Sequence, residues 1–164
     1  DGITNILTRV TGSNPSNING ILGVLGNANL FLLNPKGIIF GPNARLDLNG
    51  SFLASTARSI NFADGTTFSA TNPEAGSLLT VSVPVGLGFG SNPGAIQVQG
   101  TGHNLTFDTS FPTAFPPFLR ETNPSALTVQ SGRTLALVGG GVFLEGGQLI
   151  AERGTIELGS VRQG

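Results

Sequence analysis

The chain contains no cysteine, methionine, tryptophan or tyrosine, and only one histidine and one lysine. Without cysteine it has neither a disulfide framework nor a thiolate metal site. Charged residues make up 10% of its 164 residues, against about 25% in a typical globular domain. Net charge is −1 and no basic run occurs. That argues against nucleic-acid binding driven by phosphate contacts. No apolar run approaches the ~20 residues of a membrane helix, so membrane insertion is not expected. Ala, Leu, Glu and Lys build long helices, and five glutamates with one lysine supply little of that chemistry.

What the chain does have is punctuation. It carries 25 glycines and 10 prolines, with frequent asparagine and serine, around short apolar segments. This composition predicts many short strands and tight turns. The organising stretch runs from Asn27 to Gly41. Two apolar runs, Leu30–Leu33 and Ile38–Phe40, flank the turn Asn34-Pro35-Lys36-Gly37. Asn suits the first turn position, Pro fixes φ at the second, and Gly is favoured at the fourth. Asparagines near strand ends, such as Asn27, Asn29, Asn34 and Asn49, are read mainly as turn residues, with stacked side-chain ladders as the alternative.

The turn gains meaning from repetition. Leu30, Ile38 and Leu46 each precede another apolar pair by 22 residues, at Phe52, Ile60 and Phe68. Leu127 precedes Leu149 by 22 residues and Leu135 precedes Ile156 by 21. Three short strands with polar turns, repeated at that interval, suit one coil of a parallel β-helix. Each coil then stacks on the last at about 4.8 Å. An antiparallel sandwich also shows short strands and regular turns, but has no reason to keep this triple period in two blocks. The fold expected is therefore all-β, a three-faced right-handed parallel β-helix of about 22 residues per coil. Residues 1–164 form a single domain in this reading, a fragment of a larger secreted protein lacking an N-terminal cap and downstream repeats. Inward positions are Leu30, Leu32, Ile38, Phe40, Leu46, Leu48, Phe52, Ile60, Phe62, Leu135, Leu137, Val142, Leu144, Leu149, Ile156 and Leu158. Between the blocks, Leu79, Val81 and Val83 alternate, and Leu87, Ile96 and Leu105 are spaced by nine, as for one larger coil. From Asp108 to about Ala126, four prolines interrupt the pattern. This predicts an extra-helical loop that lays Phe111, Phe115 and Phe118 on the flank of the rod, as self-packing or as a partner-binding loop.

Nothing in the sequence assembles a catalytic constellation. The nine acids are scattered, and Glu145 and Glu152 read as solvated turn carboxylates. His103 alone makes neither a metal site nor a triad. Gly139-Gly140-Gly141 lacks the Lys-Ser/Thr of a phosphate loop and precedes another strand. No enzyme activity, cofactor or metal is expected. A polysaccharide-binding or -cleaving β-helix ranks below a structural solenoid subunit of an extracellular fibre or surface layer. Strand-like segments with few charges stand near both ends, and an unpaired strand edge templates another chain, so copies are expected to stack end to end.

Three segments carry a family resemblance. These are Asn5-Ile-Leu-Thr-Arg-Val-Thr-Gly12, Asn29-Leu-Phe-Leu-Leu-Asn-Pro-Lys-Gly-Ile38 and Gly50-Ser-Phe-Leu-Ala-Ser-Thr56. With them the chain resembles the filamentous haemagglutinin N-terminal domain, the secretion domain of two-partner-secretion exoproteins. The wording Asn-Pro-Lys-Gly-Ile-Ile-Phe-Gly, with Leu-Ala-Leu-Val-Gly-Gly (135–140) and Ile-Glu-Leu-Gly-Ser-Val (156–161), looks like the cyanobacterial branch. The resemblance implies a right-handed parallel β-helix. It also implies export of a large adhesin-like protein through the periplasm and outer membrane to the cell surface or beyond. The partner implied is an outer-membrane transporter whose periplasmic domains recognise this region. The family's Asn-Pro-Asn-Gly-Ile motif falls on Asn34, Pro35, Lys36, Gly37 and Ile38. Lys36 departs from the commoner Asn, which favours a type I over a type II turn. The family's earlier Asn-Pro-Asn-Leu motif has only Asn14-Pro15-Ser16-Asn17 as a counterpart.

Overall fold

A computed structural model describes residues 2–73, 84–103, 105–110, 115–120 and 126–162. The described residues form strands and turns, with no helix among them. In chain order the first strands are β1 (Asn5–Arg9), β2 (Ser16–Ile18), β3 (Ile21–Gly23), β4 (Asn29–Leu33), β5 (Ile38–Phe40), β6 (Arg45–Asp47) and β7 (Phe52–Ser55). Next come β8 (Ser59–Phe62), β9 (Thr67–Ser69), β10 (Pro84–Gly88), β11 (Ile96–Gln99), β12 (Leu105–Phe107) and β13 (Phe118–Arg120). The last five are β14 (Leu127–Val129), β15 (Thr134–Gly139), β16 (Val142–Glu145), β17 (Leu149–Ala151) and β18 (Thr155–Ser160).

Most pairing is parallel between strands distant in sequence. One sheet has the order β1-β4-β7-β15-β18 and a second the order β16-β11-β5-β2. Two shorter parallel pairs are β3-β6 and β14-β17, and β14 lies beside β6. Parallel neighbours cannot be joined by a tight hairpin. The chain therefore visits other sheets before each return, which makes the arrangement β-helix-like. Register agrees with the periodic reading where it matters most. Leu30 pairs with Phe52, Leu127 with Leu149 and Leu135 with Ile156. The core between the sheets contains Leu30, Leu32, Ile38, Phe40, Phe52, Ile96, Val98, Leu127, Leu135 and Leu137. Phe40 and Phe52 meet edge to face, with centroids 6.1 Å apart, a favoured aromatic geometry.

Two of the expected stackings fail. Ile38 pairs with Ile96, not Ile60, and Leu46 pairs with Leu22, not Phe68. After β7 the chain leaves the parallel sheets and builds an antiparallel sheet of order β10-β8-β9, where Ile60 lies opposite Phe68 and Leu87. Ile60 and Phe62 are buried, but in a second cluster with Leu33 and Ala70, against which Leu7, Phe31, Phe68 and Leu87 pack. The physical reason is visible in β4. Its even residues Leu30 and Leu32 point to the main core, while Phe31 and Leu33 pack on the opposite face against the added sheet. A strand covered on both faces reads as a continuous apolar run, as Leu30–Leu33 does. The spacing of apolar pairs does not say which side of a sheet they serve.

The expected larger coil dissolves in the same way. Leu87 belongs to the antiparallel sheet, Ile96 to the four-stranded parallel sheet, and Leu105 to a hairpin of β12 and β13. Leu79, Val81 and Val83 lie outside the described residues. The proline-rich stretch is not all loop, because Phe118–Arg120 pairs antiparallel with Leu105–Phe107. Phe118 stacks on Phe107 with centroids 4.8 Å apart, and it remains 66% exposed, while Phe115 is 92% exposed. These two rings are thus displayed on a hairpin, not laid on the parallel sheets. Phe111 lies outside the described residues. Leu144, Ile156 and Leu158 are exposed as well. Their strands, β16 and β18, are edge strands, each paired on one side only, so the last layer has no cover among the described residues.

Candidate functional site

The Asn34 turn sits at the entrance to β5, and its side chain is fully buried. Its backbone N–H donates to Ser55 O at 3.0 Å, and Gly37 N–H closes the turn onto Asn34 O at 3.1 Å. Asn34 Oδ1 accepts from Lys36 N–H at 2.9 Å. Asn34 Nδ2 donates to Asn14 O at 3.1 Å and to Ser16 Oγ at 2.9 Å. A buried amide with both ends satisfied is stable where an unpaired one is costly. Among the described non-glycine residues only Arg153 has positive φ, so Lys36 does not occupy the left-handed position a type II turn requires. Gly37 has φ of 125°, a conformation side-chain-bearing residues avoid.

This turn is one layer of a column. Ser16 N–H donates to Gly37 O, Ile38 N–H to Ala95 O, and Ile96 N–H to Gly141 O. Gly94 N–H reaches Pro35 O and Gly140 N–H reaches Gly94 O, both at 2.9 Å. The segments entering β2, β5, β11 and β16 are therefore stacked on one another: Asn14-Pro15, Asn34-Pro35, Asn92-Pro93 and Gly139-Gly140-Gly141. Gly140 is needed for closeness, because a Cβ there would lie 2.1 Å from Pro93 O. The triple glycine is thus a packing feature. Thr56, also fully buried, locks the column. Its hydroxyl donates to Gly94 O at 2.7 Å and accepts from Gly140 N–H at 3.2 Å.

A second polar ladder stands at the entrance to the five-stranded sheet. Asn29 Nδ2 donates to Asn5 Oδ1 at 2.9 Å, Asn29 Oδ1 accepts from Ser51 N–H at 2.8 Å, and Ser51 Oγ accepts from Thr134 N–H at 3.1 Å. Asn29 and Asn34 therefore join layers rather than only shaping turns. Asn14, Ser16 and Thr56 were read from the sequence only within motif segments, with no role in the column. The recurrence of Asn-Pro just ahead of β2, β5 and β11 was the signal that could have found the column.

The site's five motif residues are together, and Lys36 is the one titratable side chain among them. Pro35 is half-buried, Gly37 and Ile38 are buried, and only Lys36 is exposed. Lys36 forms no ion pair with a described residue. Among the described residues no group of three His, Asp or Glu could hold a metal ion. Glu145 and Glu152 are exposed. His103 Nδ1 lies 2.7 Å from Gln148 Nε2 on the surface. Asp108 is held below its ordinary pKa by the Ser110 hydroxyl and then by the Ser110 N–H, both donating to its carboxylate. That interaction shapes a turn far from the column in sequence. No helix among the described residues is long and apolar enough to cross a membrane.

No curated protein sequence and no solved structure matches the chain significantly. The family model for the TPS secretion domain matches residues 1–164. With that match over the whole length, the chain belongs to the TPS secretion domain family, the secretion domains of two-partner-secretion exoproteins.

Proposed function

We propose that the chain is the secretion and folding-nucleation domain of a large adhesin- or haemagglutinin-like exoprotein, recognised by the periplasmic domains of an outer-membrane transporter. In this reading the parallel sheets form a three-faced right-handed β-helix of about 22 residues per coil, interrupted by extra-helical antiparallel excursions. The domain acts by shape and binding, without catalysis. The observation that carries the reading is the buried Asn34 turn, which ties neighbouring layers together and leaves one charged side chain, Lys36, at the surface. A motif with four packed positions and one exposed one suits a structural element that also marks a contact face. The test separates folding from export. Asn34→Ala removes the part-buried bonds to Asn14 O and Ser16 Oγ and the one accepted from Lys36 N–H, at about 0.5–1.5 kcal/mol each. Circular dichroism measures the fold, and appearance of an exoprotein carrying the variant in the medium measures export. Normal export of this variant contradicts both the structural and the recognition role.

A second reading, a structural subunit that stacks end to end, is favoured by one observation. Ile156, Leu158, Phe143 and Leu144 stay exposed on or beside the last layer. Such a surface is a template for a further layer, either more of the same polypeptide or a second copy. Light scattering of wild type and of an Ile156→Lys/Leu158→Lys double variant tests self-stacking. Concentration-dependent growth of wild type, abolished in the variant, is the expected result. A wild type that stays monomeric at high concentration rules it out.

A further inference from the structure

Beside the Asn34 turn lies a cleft of about 420 Å³, lined by Val10, Thr11 and Gly12 on one side, Pro35 and Lys36 at the turn, and Thr71 on the other. Its walls are tied together. Arg9 donates from its guanidinium to Ser69 O at 2.7 Å and to Pro73 O at 3.0 Å. The same group lies 4.7 Å over the Phe68 ring, a cation–π contact. Arg9 ends β1 and leads into Val10, while Phe68 and Ser69 belong to β9 and lead into Thr71. The clamp therefore fixes the strand end that delivers one wall to the strand end that delivers the other.

Among the described residues the cleft carries charge of one sign. Lys36 has no ionic partner among the described residues, and both partners of Arg9 are carbonyl oxygens. No acid among the described residues lines the cleft. The Thr11 hydroxyl and the Gly12 N–H have no hydrogen-bond partner among the described residues. Spare donors and an ammonium with no carboxylate partner among the described residues are complementary to a carboxylate, and charge-assisted bonds of this kind are the stronger class. Apolar walls at Val10 and Pro35 suit the backbone and aliphatic part of an extended segment. We propose that this cleft receives an acidic segment of the transporter's periplasmic domains, with a carboxylate seated at Lys36 and Thr11. This rests on the reading of the chain as a transporter-recognised domain, and it assigns the contact to one cleft and one chemistry.

The experiment measures binding of the chain to the purified periplasmic domains of its cognate transporter by calorimetry, at low and high salt. Lys36 has ordinary φ and an exposed side chain, so Lys36→Glu and Lys36→Arg leave the turn intact, which melting curves verify. Lys36→Glu is expected to raise Kd about tenfold or more, Lys36→Arg to leave it nearly unchanged, and Lys36→Glu to flatten the salt dependence. An unchanged Kd for a folded Lys36→Glu overturns the proposal. Absence of binding by the wild-type chain overturns instead the reading beneath it, so the two failures are distinct. Glu74 follows Pro73 in the chain and lies outside the described residues. If Lys36→Glu lowers the melting temperature and Glu74→Lys restores it, Lys36 is paired internally and the proposal falls.

Discussion

Gly37→Ala isolates the backbone demand of the motif turn. Gly37 has φ of 125°, and an added Cβ would lie 3.1 Å from Ala95 O and 3.6 Å from Pro15 Cβ. Holding a side-chain-bearing residue in such a sparsely populated region costs about 1–3 kcal/mol. The contact with the Ala95 carbonyl adds to this, because Ile38 N–H already holds that oxygen at 3.0 Å and it cannot retreat freely. Replacing Gly by Ala also restricts the unfolded chain, which returns about 0.4–1 kcal/mol. The net expectation is a loss of about 1–3 kcal/mol. For a domain of this size that is a fall in Tm of roughly 2–4 °C per kcal/mol. Gly20→Ala is the control, since its Cβ meets nothing within 4 Å and its φ is not positive. It should be neutral or slightly stabilising. The chain has no tryptophan or tyrosine, so intrinsic fluorescence offers little signal, and urea titration followed by far-ultraviolet circular dichroism is the assay. A drop in midpoint at constant slope reports stability. If Gly37→Ala and Gly20→Ala melt alike, the strain argument at the turn is wrong.

Thr56→Val keeps the shape of the side chain but removes the hydroxyl between Gly94 O and Gly140 N–H. Those two groups still meet each other at 2.9 Å, so the loss should be about 1–2 kcal/mol, and Thr56→Ser should recover most of it in the same titration. Ser110→Ala removes the larger cause of the lowered Asp108 pKa, so NMR titration should find that carboxylate moved up toward its ordinary value. Because the folded pKa of Asp108 is depressed, its small stabilising effect is present above the unfolded pKa and is lost as pH falls through the folded one. Ser110→Ala should weaken that acid-side dependence, and an unmoved Asp108 pKa refutes the assignment of cause.

Much of the fold was legible because it rests on local rules. Short apolar pairs, Asn-Pro turns and glycines dictate strands and turns wherever the chain ends up. The pairings of Leu30 with Phe52, Leu127 with Leu149 and Leu135 with Ile156 follow from a spacing that parallel stacking requires. The motif turn was legible for the same reason, since proline and glycine declare its geometry. The sequence also determines how few groups of some kinds the chain carries, with one histidine, one lysine and no cysteine. The tertiary structure decided what the period could not carry. Ile60, Phe62 and Phe68 alternate like the inward residues of a parallel strand, yet they build an antiparallel sheet on the outer face of β4. A period of two states that a face is buried and is silent on what covers it. The cleft beside Lys36 likewise lies between segments that Arg9 ties together by reaching Ser69 and Pro73, some sixty residues away. Contacts of that range are set by how the sheets close on one another, and no window along the chain contains them.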